Sequence, residues 1–242
     1  MSPGRHGPML RLTDGLRFSV VPFAWSVPPL RVEAGRWVAL VPGREEPVVD
    51  PAVVLSRILA TLHEPERGCV ELLGQDVYRM EYLSRQRLRA RIGFVQGYGG
   101  LLSNRTLREN IALPVSVHGG LDHDEEEARV SDTVQRFALD AVAGLRPHEV
   151  DGATRWRACV ARALVLSPGW LVLEGIGDWE MDRGQGVAWT NIDDYRSRGD
   201  SAAVICLSRQ NPAFEAWFLE QGGQVVRYEA AHGGALRRSG LS

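Results

Sequence analysis

The sequence predicts an α/β domain with a mostly parallel central sheet. Short apolar runs end at glycine or polar residues, stretches with helical spacing follow them, and the two kinds alternate along the chain. At 242 residues, with 44% hydrophobic and 24% charged residues, the chain has the size of one domain, or of one domain plus a subdomain.

The first compact run, 37–41, ends at Pro42 and Gly43. After a polar loop with prolines, Val54, Leu55, Ile58, Leu59 and Leu62 recur with helical spacing, which gives strand, loop and helix. Residues 70–73 followed by Gly74 read as a short edge strand and turn, and 92–95 as a buried strand ending at Gln96. From 97 to 144 the character changes to a glycine-rich loop, a short segment from Thr106, and a helix carrying Val130, Val134, Phe137, Ala138 and Ala141 on one face. The acidic run 122–127 opens that helix, where the positive end of the helix dipole favours carboxylates.

A further helix over 154–166 carries Trp156, Cys159, Val160, Ala163 and Leu164, and Pro168 with Gly169 stops it. The run 170–173 leads into Glu174, 202–207 is another buried strand, and 224–228 alternates like an edge strand. One domain over 1–242 is expected, with 1–96 and 151–242 forming the core and 97–150 a helical subdomain.

Composition narrows the chemistry. All 28 basic residues are arginine, so reactions that need an ε-amino group are excluded. A net charge of −2 argues against a general nucleic-acid or anionic-membrane binder, and the stripe Arg85, Arg87, Arg89 and Arg91 reads as a solvated face. Cys69, Cys159 and Cys206, odd in number and far apart, fit buried free thiols in a reducing compartment, with no zinc spacing. Residues 1–10 hold no apolar signal core, and no stretch reaches the ~18 apolar residues of a spanning helix. A cytoplasmic chain is expected.

The order of these landmarks resembles the ATP-binding subunits of ABC transporters. Arg91, Ile92, Gly93, Phe94, Val95 and Gln96 look like the strand into that family's Q-loop, and Thr106, Leu107, Arg108, Glu109, Asn110, Ile111, Ala112, Leu113 and Pro114 like the segment after it. Ala158, Cys159, Val160, Ala161, Arg162, Ala163 and Leu164, then Pro168 and the strand to Glu174, are similar to the helix after the signature loop and the Walker B strand. Gly100, Leu101, Leu102, Ser103 and Asn104, followed by Ala112, Leu113 and Pro114, look most like the ATPases of MCE/Mla-type lipid transporters.

The resemblance implies a P-loop NTPase-like fold, ATP and Mg2+ as cofactors, a membrane-embedded permease as partner, and a dimer with itself or another such ATPase. It places the chain on the inner face of the cell membrane through that permease, with no nucleic acid partner. The site positions it picks out are degenerate. In the P-loop, after Gly43 and Arg44, Ala52 falls where the family has lysine and Val53 where it has Ser/Thr. Glu45, Glu46 and Asp50 put carboxylates where phosphate would sit, and like charges ~4 Å apart repel by about 4 kcal/mol at an effective dielectric of 20. Arg44 is the remaining candidate phosphate contact.

At the signature, Gly152 is retained, but Asp151 replaces the serine and would turn a carboxylate toward the partner's γ-phosphate. Glu174 stands for the magnesium-binding aspartate, Gly175 for the catalytic glutamate and Arg209 for the switch histidine. Gln96 survives intact. Phe23 or Trp25 would stack on adenine. The docking surface for the permease is expected at Tyr98, Leu101, Leu102 and the segment from Thr106 to Pro114. A non-hydrolysing, lipid-type transport subunit is the first expectation. A divergent ATPase that still drives transport, and a regulatory or scaffold protein on the same fold, are the alternatives.

Overall fold

The computed structural model describes residues 8–43, 50–97, 100–118, 120–175 and 186–231. The chain opens with β1 (Leu10–Leu12), β2 (Leu16–Val20), β3 (Phe23–Val27), β4 (Leu30–Val32) and β5 (Trp37–Pro42), then α1 (Pro51–Leu59). β6 (Val70–Leu72), β7 (Gln75–Asp76), α2 (Tyr82–Arg89) and β8 (Ile92–Val95) follow. α3 (Leu107–His118), α4 (His123–Arg136) and α5 (Gly152–Leu164) come next, then β9 (Trp170–Glu174), α6 (Val187–Ser197), β10 (Ala202–Cys206), α7 (Pro212–Glu220) and β11 (Gln224–Ala230).

The main sheet has the order β2-β3-β11-β5-β10-β9-β8. β11, β5, β10, β9 and β8 run parallel, while β2 and β3 pair antiparallel. β5, β9 and β10 are buried at every residue because helices cover both faces, as parallel sheets require. Alternation divides the core. Trp37, Ala39, Val41, Leu171, Leu173, Ala203 and Ile205 pack with α3, α5, α6 and α7, whereas Val38, Leu40, Trp170, Val172 and Val204 pack with α1. Leu55, Ile58 and Leu59 of α1 are fully buried, each contributing about 1.5–3 kcal/mol of apolar transfer.

Two strand expectations are corrected. β6 lies between β1 and β7 in a separate antiparallel sheet of order β4-β1-β6-β7, so it is no edge. β11 is interior as well, flanked by β3 and β5. Its polar alternation arises because β2 and β3 extend the sheet beyond the helices on one face, so Arg227 and Glu229 stay exposed inside a paired strand. Spacing along the chain does not reveal β1 to β4, α2, α6 and α7. β1 to β4 are short and separated by Pro22, Pro28 and Pro29, α2 and α6 have few apolar residues per turn, and α7 is apolar nearly all round, so none carries a clear period.

Cys159 and Cys206 are buried and in no disulfide, as expected. Cys69 is only half-buried, with its Sγ 3.3 Å from Asp76 Oδ2. Among the described residues no helix is long and apolar enough to cross a membrane.

Candidate functional site

The carboxyl ends of β5, β8, β9 and β10 converge on the N-terminus of α1, where ligands of open parallel sheets are held. α1 begins at Pro51, whose missing N–H costs nothing at a first helical position. Asp50 caps it: Oδ1 accepts the Ala52 N–H at 2.9 Å, and Oδ2 accepts the Ser208 hydroxyl at 2.6 Å. A carboxylate of the chain itself thus sits at the positive end of this helix. Ala52 is 0% exposed and packs into the core, while Val53 is half-buried, so neither position aims a polar group at the helix end. Gly43 donates its N–H to the Tyr228 carbonyl at 2.8 Å, and a Cβ there would meet Glu229 Cγ at 2.9 Å. Arg44 lies outside the described residues, as do Glu45 and Glu46.

Glu174 is 3% exposed and turned into the sheet edge. The Ser56 hydroxyl donates to its Oε2 at 2.6 Å, and the Gly97 backbone N–H donates to the same carboxyl. Burial pushes its pKa up, against these hydrogen bonds. Ser56 is a site residue that sequence reasoning misses: it lies one helical turn beyond Val53, and a polar residue among Leu55, Ile58 and Leu59 is the clue that could have found it. Gly175 takes φ +46°, its N–H bonded to the Cys206 carbonyl at 2.8 Å, and a Cβ there would stand 3.3 Å from Ser208 Oγ. No side chain at 175 reaches toward a water. Arg209 is exposed beside this edge, and the neighbouring Gln210 ties to the Pro42 carbonyl at 3.0 Å.

Gln96 is half-buried and folds over Gly100, where a Cβ would be 2.2 Å from Gln96 Oε1. Asp151 is exposed but engaged: it caps α5, its Oδ1 accepting the Thr154 N–H at 2.6 Å. That backbone hydrogen bond holds its carboxyl below the usual range. Within the single chain Asp151 is a local cap, with Gly152 opening the helix. Trp25 is buried edge-on against Tyr228 at 5.8 Å between ring centroids, and is no platform, whereas Phe23 is 43% exposed at the start of β3.

A second concave feature of about 100 Å³ lies between the end of α2, β8, α3 and α5. Arg89, Phe94, Pro114, His118, Arg162 and Leu166 line it, and no carboxylate does. Arg89 donates to the Thr61 carbonyl at 2.6 Å and Arg162 to the Gly100 carbonyl at 2.7 Å, so among the described residues neutral oxygens hold both cations. Burial lowers the Arg162 pKa, the mark of a guanidinium short of counter-charge.

Of the residues expected for docking, Pro114 lines this groove, whereas Leu101, Leu102 and Thr106 do not. Leu101 packs against the core, Leu102 is 45% exposed, and Thr106 accepts the Glu109 N–H in a reciprocal cap of α3. Tyr98 lies outside the described residues. The loop is pinned because buried Asn110 bonds the carbonyls of Leu102, Arg105 and Thr106 and the Leu102 N–H.

The sequence profile of the family described as ABC transporter matches residues 54–174, from α1 through Glu174 and so through half of the chain. The chain belongs to the ABC transporter ATP-binding family. Among ABC relatives, a methionine import ATP-binding protein of Pseudomonas aeruginosa is 33% identical over 120 residues, which is 50% of this chain and 36% of that protein. One from Rhodococcus jostii is 39% identical over 121 residues, covering 35% of its length. A lipoprotein-releasing system ATP-binding protein of Rhodopirellula baltica is 32% identical over 145 residues, 58% of this chain and 63% of that one.

The matches thus span about a third of the methionine-import proteins and under two thirds of the lipoprotein-releasing one. In fold, the dimeric bacterial ABC transporter cassette MJ0796 aligns with a TM-score of 0.69 at 18% identity, covering 93% of this chain and all of that one. The P-loop-type ABC fold expected from the sequence is the fold observed.

Proposed function

We propose that the chain is an ABC transporter ATP-binding-type subunit that does not hydrolyse ATP and works by bracing a membrane-embedded permease. The observation that carries this is the end of α1. Asp50 already fills the anion-binding position of the helix, and Ala52, where the family has lysine, faces the core.

ATP and Mg2+ fit these residues poorly. A triphosphate would have to displace the Asp50 carboxylate and would find no lysine, and a magnesium ion would have to take Glu174 from Ser56 and Gly97 in a buried setting that favours its neutral form. Hydrolysis fares no better. Phosphoryl transfer rests on positioning and charge stabilisation, which Ala52, Val53, Gly175 and Arg209 do not supply. Titrating purified full-length chain with ATP and Mg2+ by calorimetry tests this. No saturable heat is expected, whereas magnesium-dependent binding tighter than about 1 mM would establish the divergent-ATPase reading instead.

The groove beside α3 supports the permease as partner. Two arginines with no ion-pair partner among the described residues, in a cleft walled by Phe94, Pro114 and Leu166, favour a short segment that brings apolar side chains and a carboxylate. The dimeric cassettes of the same fold support pairing with itself or another such subunit. For the cargo, the loop phrase at 100–104 supports a lipid-type substrate, and the lipoprotein-releasing relative is matched over a larger share of its length, 63% against 36%. Amino-acid import is the second reading, carried by the methionine-import relatives. Capture of a permease from native membranes checks the assignment. Recovery of no membrane protein would favour a scaffold unconnected with transport.

A further inference from the structure

Arg17 and Arg67 stand directly opposite one another across an antiparallel bridge, the Arg17 N–H donating to the Arg67 carbonyl at 2.9 Å and the Arg67 N–H to the Arg17 carbonyl at 3.3 Å. Side chains so placed lie on one face about 4.5–5.5 Å apart at Cβ, and like charges there repel. A second cross-strand arginine pair in this chain displays the ordinary remedy. Arg11 opposes Arg31, but Glu71 binds Arg11 and Glu33 binds Arg31. Among the described residues, no carboxylate forms an ion pair with Arg17 or Arg67.

The two guanidiniums line a groove of about 780 Å³ on the outer face of β2, β3 and β11. Ser26 lies beside Arg17 in register, Glu229 beside Ser26, and Arg227, held by Glu215, forms the far wall; Asp14 and Glu229 are the carboxylates of the lining, and neither forms an ion pair with Arg17 or Arg67. The walls are fixed by backbone contact. Gly15 has φ +74°, and a Cβ there would be 2.3 Å from the Val27 carbonyl oxygen. Gly68 has φ +104°, with a Cβ 2.1 Å from the Gly15 carbonyl oxygen. These approaches need glycine, and they hold the backbone at 17 and 67 together whatever their side chains prefer. The lining includes no residue of α1 or of the carboxyl ends of β9 and β10, and it comes nearest the end of β5 at Glu229, whose Cγ would lie 2.9 Å from a Cβ on Gly43.

We propose that this groove is an oxyanion site for a phosphate-bearing ligand, with Arg17 and Arg67 gripping the phosphate between them and the rest of the groove receiving the group attached to it. Two planar guanidiniums suit a phosphate's geometry, and a dianion removes their mutual repulsion. The ligand's phosphate belongs either to a soluble molecule or to a lipid headgroup.

The test uses purified full-length chain and inorganic phosphate, against potassium chloride at matched ionic strength. Phosphate is expected to raise the Tm saturably where chloride does not. In Arg17→Gln/Arg67→Gln the phosphate shift disappears. In chloride alone, Arg67→Gln melts at or above the wild-type temperature, because a repulsion has been relieved. An equal rise in chloride, a phosphate shift that survives the double substitution, or an Arg67→Gln variant less stable than wild type in chloride would each overturn the site. If the double variant does not fold, the two single variants give the same reading.

Vesicles of phosphatidylcholine with phosphatidic acid, against phosphatidylcholine alone, then separate the sources. Co-sedimentation lost on Arg67→Gln places the phosphate on a lipid headgroup, and a phosphate shift without sedimentation places it on a soluble ligand.

Discussion

At the scale of single residues, Asp50 and Glu174 occupy the candidate site with groups that satisfy each other's surroundings. Asp50 bonds the backbone of α1 and Ser208, so Asp50→Ala removes a cap and is expected to lower stability by about 1 kcal/mol, within the roughly 0.5–2 kcal/mol range of such caps. Urea unfolding monitored by circular dichroism reads that loss. Glu174 carries the opposite kind of signal. Its folded pKa lies above its ordinary 4.5, so its contribution to stability is fully present below the unfolded value and is lost as pH rises through the folded one. Glu174→Gln, which has no charge to bury, should therefore gain on the wild type as pH is raised from about 4 to about 8. A Tm difference that stays flat with pH would contradict the burial argument.

At the scale of elements, the short α3 and the loop before it depend on one amide. Asn110 is fully buried and spends donor and acceptor on the Leu102, Arg105 and Thr106 backbone, closing the turn that the Thr106 and Glu109 cap begins. Asn110→Ala strands several backbone groups, and at about 1 kcal/mol net per hydrogen bond the loss should reach ~2–3 kcal/mol. Faster amide exchange at Leu102 is the specific mark, since its N–H loses its acceptor. The Thr106–Glu109 pair is visible in the sequence as a helix start, but Pro114 inside α3 argues for a shorter segment. Packing of Leu107, Ile111 and Val115 against α5 and α4 carries the helix past that proline.

At the scale of the whole molecule, the groove of Arg89 and Arg162 joins the helices of 107–164 to the sheet edge and faces outward as a positively charged cleft. Arg162→Glu keeps a long polar side chain while reversing the charge offered to a partner. It is expected to reduce capture of the proposed permease at least tenfold, equivalent to about 1.4 kcal/mol, and to lower the Tm of the free chain as well, because the bond to the Gly100 carbonyl is lost, so capture is compared at a temperature where the variant is folded. A pull-down signal unaffected by the reversal would move the docking surface elsewhere.

The class of fold and the lack of lysine are both legible along the chain. All-apolar strands such as 170–173 and 202–206 stand out because burial on both faces leaves no polar position to blur them, and the absence of lysine needs no coordinates. What stands in place of the missing groups emerges only on folding. Asp50 and Asp151 look alike in the sequence as misplaced carboxylates, and each turns out to cap a helix. Ser56 reaches Glu174 across 118 residues of chain, and the Arg17–Arg67 bridge joins residues 50 apart. Contacts of that length depend on where strands are laid in a sheet, and periodicity along the chain records only which face a residue takes, not which neighbour it meets.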